Sequence, residues 1–101
     1  MALIGLTETM AVEVGEYGIR VNTISPGAVS GERVNIHLNR SAQAIGISLD
    51  ELKAKMVTNY SLGRITEESE VASVAVFLAS NEASAITGQV IAVNCGHHII
   101  F

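Results

Sequence analysis

The sequence predicts an α/β fold that includes only part of a parallel sheet. Signals for a helix, a strand, a long excursion, a second helix and a second strand follow one another along the 101 residues. A crossover between two strands of one sheet is right-handed in nearly all proteins, so the two strands should be parallel. Both strand segments are predicted to be buried, as in sheets that are covered on both faces. Because two strands alone do not form a stable sheet, the fold is expected to be incomplete.

The first helix is predicted over residues 1–18. Apolar residues recur at steps of three and four and form one stripe along it: Leu3, Leu6, Met10, Val14 and Tyr17. A helix normally begins after a Ser, Thr, Asp or Asn cap, and none precedes this stripe. The sequence therefore starts as if inside a helix. Gly18 is the better candidate for the left-handed residue that ends it.

Residues 19–27 are predicted as a strand followed by a tight corner. The β-branched run over 19–25 favours a strand, and pairing should end at Pro26, which has no N–H to donate. Ligands of open parallel sheets gather just beyond the carboxyl ends of the strands. Backbone groups that follow the corner at Pro26 and Gly27 could therefore face a planar polar ligand. The alternative is an ordinary turn that ends a strand.

The excursion over residues 28–62 contains two weakly amphipathic stretches. The second is better defined, because Ser48 and Glu51 have the spacing of a helix capping box. Four residues are expected to share one helical face in this stretch: Leu49, Leu52, Met56 and Tyr60.

A second helix over residues 66–81 and a last strand over 88–94 complete the order. Glu67, Glu68 and Glu70 fall in the first turn of this helix, where negative charge suits the helix dipole. Its predicted buried stripe consists of Val71, Val74, Ala75 and Leu78. The continuous apolar run over 89–93 is typical of a strand covered on both faces.

Composition limits the classes of function. Hydrophobic residues make up 49% of the chain and the net charge is −4, which excludes intrinsic disorder. Only 6 Lys and Arg stand against 10 Asp and Glu, so a nucleic-acid partner is not expected. No apolar run is long enough for a membrane span, and a single cysteine suits a reducing, cytoplasmic location. This apolar, weakly charged composition is also typical of a segment from a larger fold.

Isolated residues give little evidence of chemistry. His37 and Cys95 have no partner residues at an informative spacing, so a surface or core histidine and a buried thiol are the simplest interpretations. Adjacent His97 and His98 would point to opposite faces of a strand, and no third ligand lies near them in sequence, so no metal site is assigned. No glycine-rich phosphate loop is present. By themselves these residues do not disclose a reaction.

Several short segments together resemble the short-chain dehydrogenase/reductase family. They include Ala-Leu-Ile-Gly-Leu-Thr from Ala2, Gly-Ile-Arg-Val-Asn from Gly18 and Ser-Pro-Gly from Ser25. The second half adds Ser-Leu-Gly-Arg from Ser61 and Ile-Thr-Gly-Gln from Ile86. These segments keep the order and spacing seen in the family, and the resemblance covers nearly the whole chain.

The resemblance implies a doubly wound Rossmann-like domain of which residues 1–101 form the C-terminal fragment. Family members bind NAD or NADP and move a hydride between the nicotinamide and an alcohol or carbonyl substrate. The family's glycine-rich loop, catalytic serine and Tyr-x-x-x-Lys pair have no counterpart here, because they precede the segment that resembles Ala2 to Gly5. No catalytic residue is therefore assigned, and the 101-residue chain alone is expected to be inactive.

The expected cofactor-binding residues resemble the family segment whose backbone contacts the nicotinamide carboxamide: Pro26, Gly27, Ala28, Val29 and Ser30. Many members have a threonine five residues after the proline. Gly31 takes that position here, so Ser30 is the candidate for the missing side-chain contact. Two further departures are Glu68, where a proline is common, and Asn-Cys-Gly from Asn94 in place of Asp-Gly-Gly.

The remaining implications concern substrate and partners. Residues 28–62 resemble the family's substrate lid, whose apolar side chains suit either an apolar substrate or a packed lid core. Asn22 resembles a structural strand asparagine. The resemblance also implies a homo-oligomer. The alternative to an oxidoreductase is a non-catalytic module that associates with a homologous oxidoreductase through the open edge of its first strand.

Overall fold

The structure is a computed structural model and describes residues 2–97. The described residues form four α-helices and two β-strands: α1 (Ala2–Val14), β1 (Thr23–Pro26), α2 (Glu32–Ile45), α3 (Leu49–Met56), α4 (Glu68–Ala79) and β2 (Val90–Val93). Short 3-10 turns follow three of the helices, at Gly15–Tyr17, Val57–Asn59 and Asn81–Ala83. The order agrees with the predicted α/β arrangement.

The chain divides into two compact units. Unit 1 comprises residues 2–25 and 69–92 and contains α1, most of α4 and the greater part of both strands. Unit 2 comprises residues 26–68 and 93–97 and contains α2, α3 and the segments that follow each strand. The last residues of the two strands, Pro26 and Val93, belong to unit 2.

The two strands pair in parallel, as predicted. The Thr23 N–H donates to the Gln89 carbonyl at 2.9 Å, and the Gly27 N–H donates to the Val93 carbonyl at 3.2 Å. β1 ends at Pro26, as expected, and the Gly27 N–H makes the last bond of the ladder. Alternate residues of a strand direct their N–H groups to the same side, so Thr23 and Gly27 point toward β2 while position 26 points away. A proline there removes no bond from this ladder.

Unit 1 places its two helices on opposite faces of the sheet. The Thr23 hydroxyl lies 2.6 Å from the hydroxyl of Thr7 on α1. The next residue, Ile24, lines a cavity together with Ala75 and Leu78 of α4. Successive strand residues point to opposite faces, so α1 covers one face and α4 the other. This is the layer order of a doubly wound fold.

The apolar stripe predicted on α1 is largely exposed. The buried residues of α1 are Thr7 and Ala11, and a Cβ on Gly88 would lie 3.5 Å from the Ala11 Cβ. The exposed members of the stripe are Leu3, Leu6, Met10 and Tyr17. Along α4 only Leu78 of the predicted stripe is buried, and Ala75 is exposed. The strands are likewise half-buried or exposed, because the described residues supply no further strand to extend the sheet.

The first strand begins at Thr23, four residues later than the predicted start at residue 19. The stretch before it faces a turn and not a strand. The Gly88 N–H donates to the Val21 carbonyl at 2.7 Å, and the Val21 N–H donates to the Thr87 hydroxyl at 3.1 Å. Asn22 Nδ2 donates to the Ile86 carbonyl at 2.9 Å. The backbone groups of Val21 are thus hydrogen-bonded to residues of a turn and not to a neighbouring strand.

Two of the residues predicted to begin or end a helix do so in the structure. Gly18 has φ 71° and ends the turn after α1, as predicted. Ser48 caps α3, because its hydroxyl accepts a hydrogen bond from the Glu51 N–H at 3.1 Å. α4 starts at Glu68, two residues later than predicted, because Thr66 instead pairs with Val29 in a parallel bridge.

Unit 2 contains the excursion, which is helical over most of its length. α2 buries Leu38 and Ala42, whereas α3 has half-buried apolar side chains at Leu49 and Leu52. Tyr60 does not extend the face of α3, contrary to prediction. It is buried in an antiparallel bridge with His97, and the two rings stack with centroids 4.4 Å apart.

Candidate functional site

The predicted cofactor segment, residues 26–30, begins at the carboxyl end of β1. Gly27 allows its backbone to approach the segment after β2 closely: a Cβ on Gly27 would lie 2.8 Å from the Asn94 Cβ. Such a distance is too short for any side chain. Gly27 therefore fixes the path of the chain at the point where it leaves the sheet.

The next residues are held by backbone hydrogen bonds to one buried residue, Thr66. The Thr66 N–H donates to the Ala28 carbonyl at 3.3 Å, and the Ser30 N–H donates to the Thr66 carbonyl at 2.8 Å. This is the pattern of a parallel bridge between Val29 and Thr66. In an extended chain, alternate residues direct their amide groups to opposite sides, so the Val29 N–H and carbonyl point away from Thr66.

Val29 therefore presents one donor and one acceptor on the free side of the segment. A primary amide presents the complementary groups, an acceptor oxygen for the Val29 N–H and a donor nitrogen for the Val29 carbonyl. The residues present thus fit the carboxamide of a nicotinamide cofactor. Of the predicted cofactor residues, Ala28 and the Ser30 N–H are already committed to Thr66.

Ser30 is bound through its side chain as well. Its hydroxyl donates to Glu67 Oε2 at 2.7 Å. A hydroxyl has a single hydrogen and two lone pairs, and an ionised carboxylate accepts only. While this bond is formed, the Ser30 oxygen can offer only lone pairs to a ligand.

The two departures at Gly31 and Glu68 lie together in space. Glu68 Oε1 occupies the position that a Cβ on Gly31 would meet. The sequence-based interpretation of Glu67 and Glu68 as charges that complement a helix dipole therefore missed their place beside this segment. The paired departures from the family pattern were the signal that could have found it.

The segment after β2 is tied to the same residue. Thr66, which is 1% exposed, donates its hydroxyl hydrogen to the Val93 carbonyl at 3.2 Å. Its hydroxyl oxygen lies 3.6 Å from the Cys95 sulfur, so the thiol is the donor of that contact. Cys95 has φ 52°, a left-handed conformation in which glycine is favoured.

The excursion forms a cavity within unit 2. Its volume is about 260 Å³, and it lies between the end of α3 and the following loop. The lining residues are Lys53, Ala54, Met56, Val57, Gly63, Arg64 and Ile65. Among the apolar side chains of the excursion, Leu38 is buried on α2 and Met56 lines this cavity.

Other chemically suggestive residues are not brought together. His37 is exposed on α2. Within residues 2–97, no three His, Cys, Asp or Glu side chains are close enough to hold a metal ion, and His98 lies outside the described residues. No helix in this range is both long and apolar enough to cross a bilayer. Asn22, predicted as structural, binds the Ile86 carbonyl and the Gln89 N–H within unit 1.

Comparison with known proteins matches residues 1–98 to a family described as Enoyl-(Acyl carrier protein) reductase. A Francisella tularensis protein described as a member of the short chain dehydrogenase family has a solved structure with a TM-score of 0.86 and 31% identity; the match covers 95% of this chain and 40% of that one. The chain belongs to the short-chain dehydrogenase/reductase family. Its α/β layers and parallel strand pair are thus part of a Rossmann-like fold.

Two other members add detail. The 3-oxoacyl-[acyl-carrier-protein] reductase FabG of Vibrio harveyi is 37% identical over 98 residues, which are 97% of this chain and 36% of that protein. The structure of YwfH, an NADPH dependent reductase involved in bacilysin biosynthesis, has a TM-score of 0.82 at 26% identity; the match covers 99% of this chain and 38% of that one. The chain thus spans about a third of the length of the short-chain dehydrogenases/reductases it matches.

Proposed function

We propose that this chain supplies the carboxamide-binding segment and the substrate lid of an NAD(P)-dependent oxidoreductase. The reaction is hydride transfer between NAD or NADP and an alcohol or carbonyl substrate. The observation that supports this proposal is the bridge between Val29 and Thr66, which leaves the Val29 N–H and carbonyl directed outward. Membership of the family and the NADPH dependence stated for YwfH agree with it.

Each residue of the segment has a distinct part in this proposal. The Val29 N–H donates to the carboxamide oxygen, and the Val29 carbonyl accepts from the carboxamide nitrogen. Pro26 and Gly27 set the direction in which the chain leaves β1, and Ser30 supplies a side-chain contact. Residues 28–62 form the lid, with the cavity beside Met56 as the place for an apolar part of the substrate. The cofactor, when bound, supplies or takes up the hydride.

We propose no catalytic residue within the chain. General acid–base catalysis needs a group within hydrogen-bond reach of the reacting oxygen. The sequence has no Tyr-x-x-x-Lys pair. The purified 101-residue chain should therefore reduce no carbonyl compound with NADH or NADPH above the rate without protein.

The cofactor segment can be tested by titrating the isotope-labelled chain with oxidised nicotinamide mononucleotide. We expect the backbone amide signals of Val29 and Ser30 to shift in a saturable manner. Ser30→Ala should weaken binding, whereas Ser73→Ala, whose hydroxyl bonds the Ser69 carbonyl within α4, should not. Saturable shifts that avoid residues 26–30 altogether contradict the proposal.

The non-catalytic module remains the second candidate. It is favoured by the exposure of large apolar side chains on α1, where Leu6 is 55% and Met10 is 42% exposed. Helix faces of this kind usually lie against another surface. In this alternative the surface belongs to a second copy of the chain or to a homologous oxidoreductase.

A further inference from the structure

We propose that Glu67 is a positioning residue that makes Ser30 a hydrogen-bond acceptor toward the ligand. The consequence is selectivity: the ligand group that meets Ser30 must be a donor, such as the NH₂ of a carboxamide, and not a phosphate or carbonyl oxygen. This inference rests on the proposed function, because it concerns the same segment.

The first step is the location of the single hydroxyl hydrogen. It is donated to Glu67 Oε2 over 2.7 Å, a charge-assisted bond of a length typical of strong hydroxyl–carboxylate pairs. To donate to a ligand instead, Ser30 would have to break this bond. A ligand acceptor group at this place therefore binds less favourably than a donor group, because its binding requires the Ser30–Glu67 hydrogen bond to break.

The second step is that the backbones on both sides of this exposed bond are held by one bridge. The backbone of Ser30 is pinned through its N–H to the Thr66 carbonyl, and Glu67 follows Thr66 directly in the chain. Thr66 itself is fully buried. The serine and the carboxylate are thus brought together by the same bridge that orients Val29, so the side-chain acceptor and the backbone groups are set by one anchor.

The third step concerns charge. The carboxylate that receives the Ser30 hydrogen carries a negative charge beside the segment, and Glu68 adds a second one next to Gly31. Like charges repel, so a ligand phosphate is disfavoured at this place for a reason that is independent of the hydrogen bond. Both effects favour a neutral donor group.

The test uses two neutral probes that differ in one group. Nicotinamide has an NH₂ donor where 3-acetylpyridine has a methyl group, so their affinity ratio reports the contacts of the NH₂ group, to the Val29 carbonyl and to Ser30, and the change in the ratio on substitution isolates the part that depends on Ser30. Dissociation constants are measured from the Val29 and Ser30 amide shifts of the 101-residue chain. We expect nicotinamide to bind more tightly, and Glu67→Ala to reduce the ratio by about twofold to tenfold, the worth of one hydrogen bond.

Controls separate positioning from a structural effect. Glu13→Ala removes the same charge from α1 and should leave the ratio unchanged. If Glu67 only stabilised the fold, Glu67→Ala would weaken both probes equally. Ser30→Ala removes the acceptor itself and should lower the ratio even if Glu67→Ala unfolds the chain.

Three results overturn the inference. If the affinity ratio is unchanged in both Glu67→Ala and Ser30→Ala, the inference is wrong but the proposed cofactor segment is not affected. If inorganic phosphate shifts the Ser30 amide signal as strongly as nicotinamide does, the inference is likewise wrong and the segment is again not affected. Failure of nicotinamide mononucleotide and both probes to shift residues 26–30 overturns the proposed cofactor segment together with the inference.

Discussion

Gly27 and Gly31 both lie against other parts of unit 2, but against different kinds of atom. A Cβ on Gly27 would lie 2.8 Å from the Asn94 Cβ and 3.4 Å from its Cα, and the positions of both atoms are set by the backbone of Asn94. A Cβ on Gly31 would meet the end of the flexible Glu68 side chain, which can move aside. The backbone of Gly31 is extended, with φ 165°, and any residue can adopt it.

We therefore predict opposite tolerance at these two glycines. Gly27→Ala should lower the free energy of unfolding by about 1–3 kcal/mol, the usual cost of overpacking. Gly31→Ala should change it by less than about 1 kcal/mol, because the carboxylate swings away and alanine restricts the unfolded chain. Urea denaturation of the two variants checks this difference. Equal losses of stability would contradict it.

Cys95 occupies a conformation that costs energy for any residue with a Cβ. Its φ of 52° is left-handed, and such a conformation costs about 1–2 kcal/mol relative to glycine. Cys95→Gly should raise the free energy of unfolding by up to about 1 kcal/mol, since the added freedom of glycine in the unfolded chain offsets part of the gain.

Cys95→Ala is the matched control for this prediction. It keeps the Cβ and therefore the strain, but it loses the contact between the sulfur and the Thr66 hydroxyl. It should be less stable than the Cys95→Gly variant in the same denaturation experiment. Identical midpoints for the two variants would show that the backbone conformation has no energetic consequence.

At the scale of elements, β1 depends on contacts made before it begins. Asn22 bonds the Ile86 carbonyl at 2.9 Å through Nδ2, and its Oδ1 accepts from the Gln89 N–H at 3.1 Å. Arg20 reaches the carbonyls of Ile86 and Ser80 at 3.3 Å each. These side chains join the lead-in of β1 to the loop that precedes β2.

Asn22→Ala should therefore destabilise unit 1. Two hydrogen bonds are lost and a backbone carbonyl and N–H lose their partners, so we expect a loss of about 1–3 kcal/mol. Asn35→Ala, the same change on an exposed position of α2, should be neutral or slightly stabilising because alanine favours helices. Thermal unfolding followed by circular dichroism compares them. Equal melting temperatures for the two variants would show that the Asn22 hydrogen bonds to Ile86 and Gln89 do not stabilise unit 1.

The accuracy of the sequence predictions followed the range of the interactions. Local chemistry identified the end of α1 at Gly18 and the cap of α3 at Ser48, because both depend on neighbours within a few residues. The starts of β1 and α4 were misplaced because they depend on distant partners: the loop after α4 for β1, and Val29 for Thr66. For the same reason the sequence singled out the segment after Pro26 but did not predict the hydrogen bond from Ser30 to Glu67.

On the scale of the whole molecule, the apolar stripe predicted on α1 lies exposed. Periodicity shows that a stripe must be covered but not what covers it. The proposed homo-oligomer predicts that the 101-residue chain associates with itself, and that the mean mass from light scattering rises with concentration. Leu6→Glu with Met10→Glu should lower that mass toward the monomer.

A charge elsewhere on α1 controls for a general gain in solubility. Val12 is 82% exposed and, at 3.6 residues per turn, lies on the side of α1 opposite Leu3. Val12→Glu should leave the concentration dependence unchanged if the stripe is the contact surface. A wild-type chain that stays monomeric at every concentration would argue against self-association.

Thr66 uses all of its polar groups to link two separate segments of unit 2, residues 28–30 and residues 93–95. Its amide and carbonyl hold residues 28 and 30, and its hydroxyl holds residues 93 and 95. Its amide proton should therefore be among the slowest in unit 2 to exchange with deuterated solvent, because exposing it requires both attachments to open. A ligand bound to the segment near Val29 would slow this exchange further. The exchange rate of one buried threonine would then report ligand binding at the protein's surface.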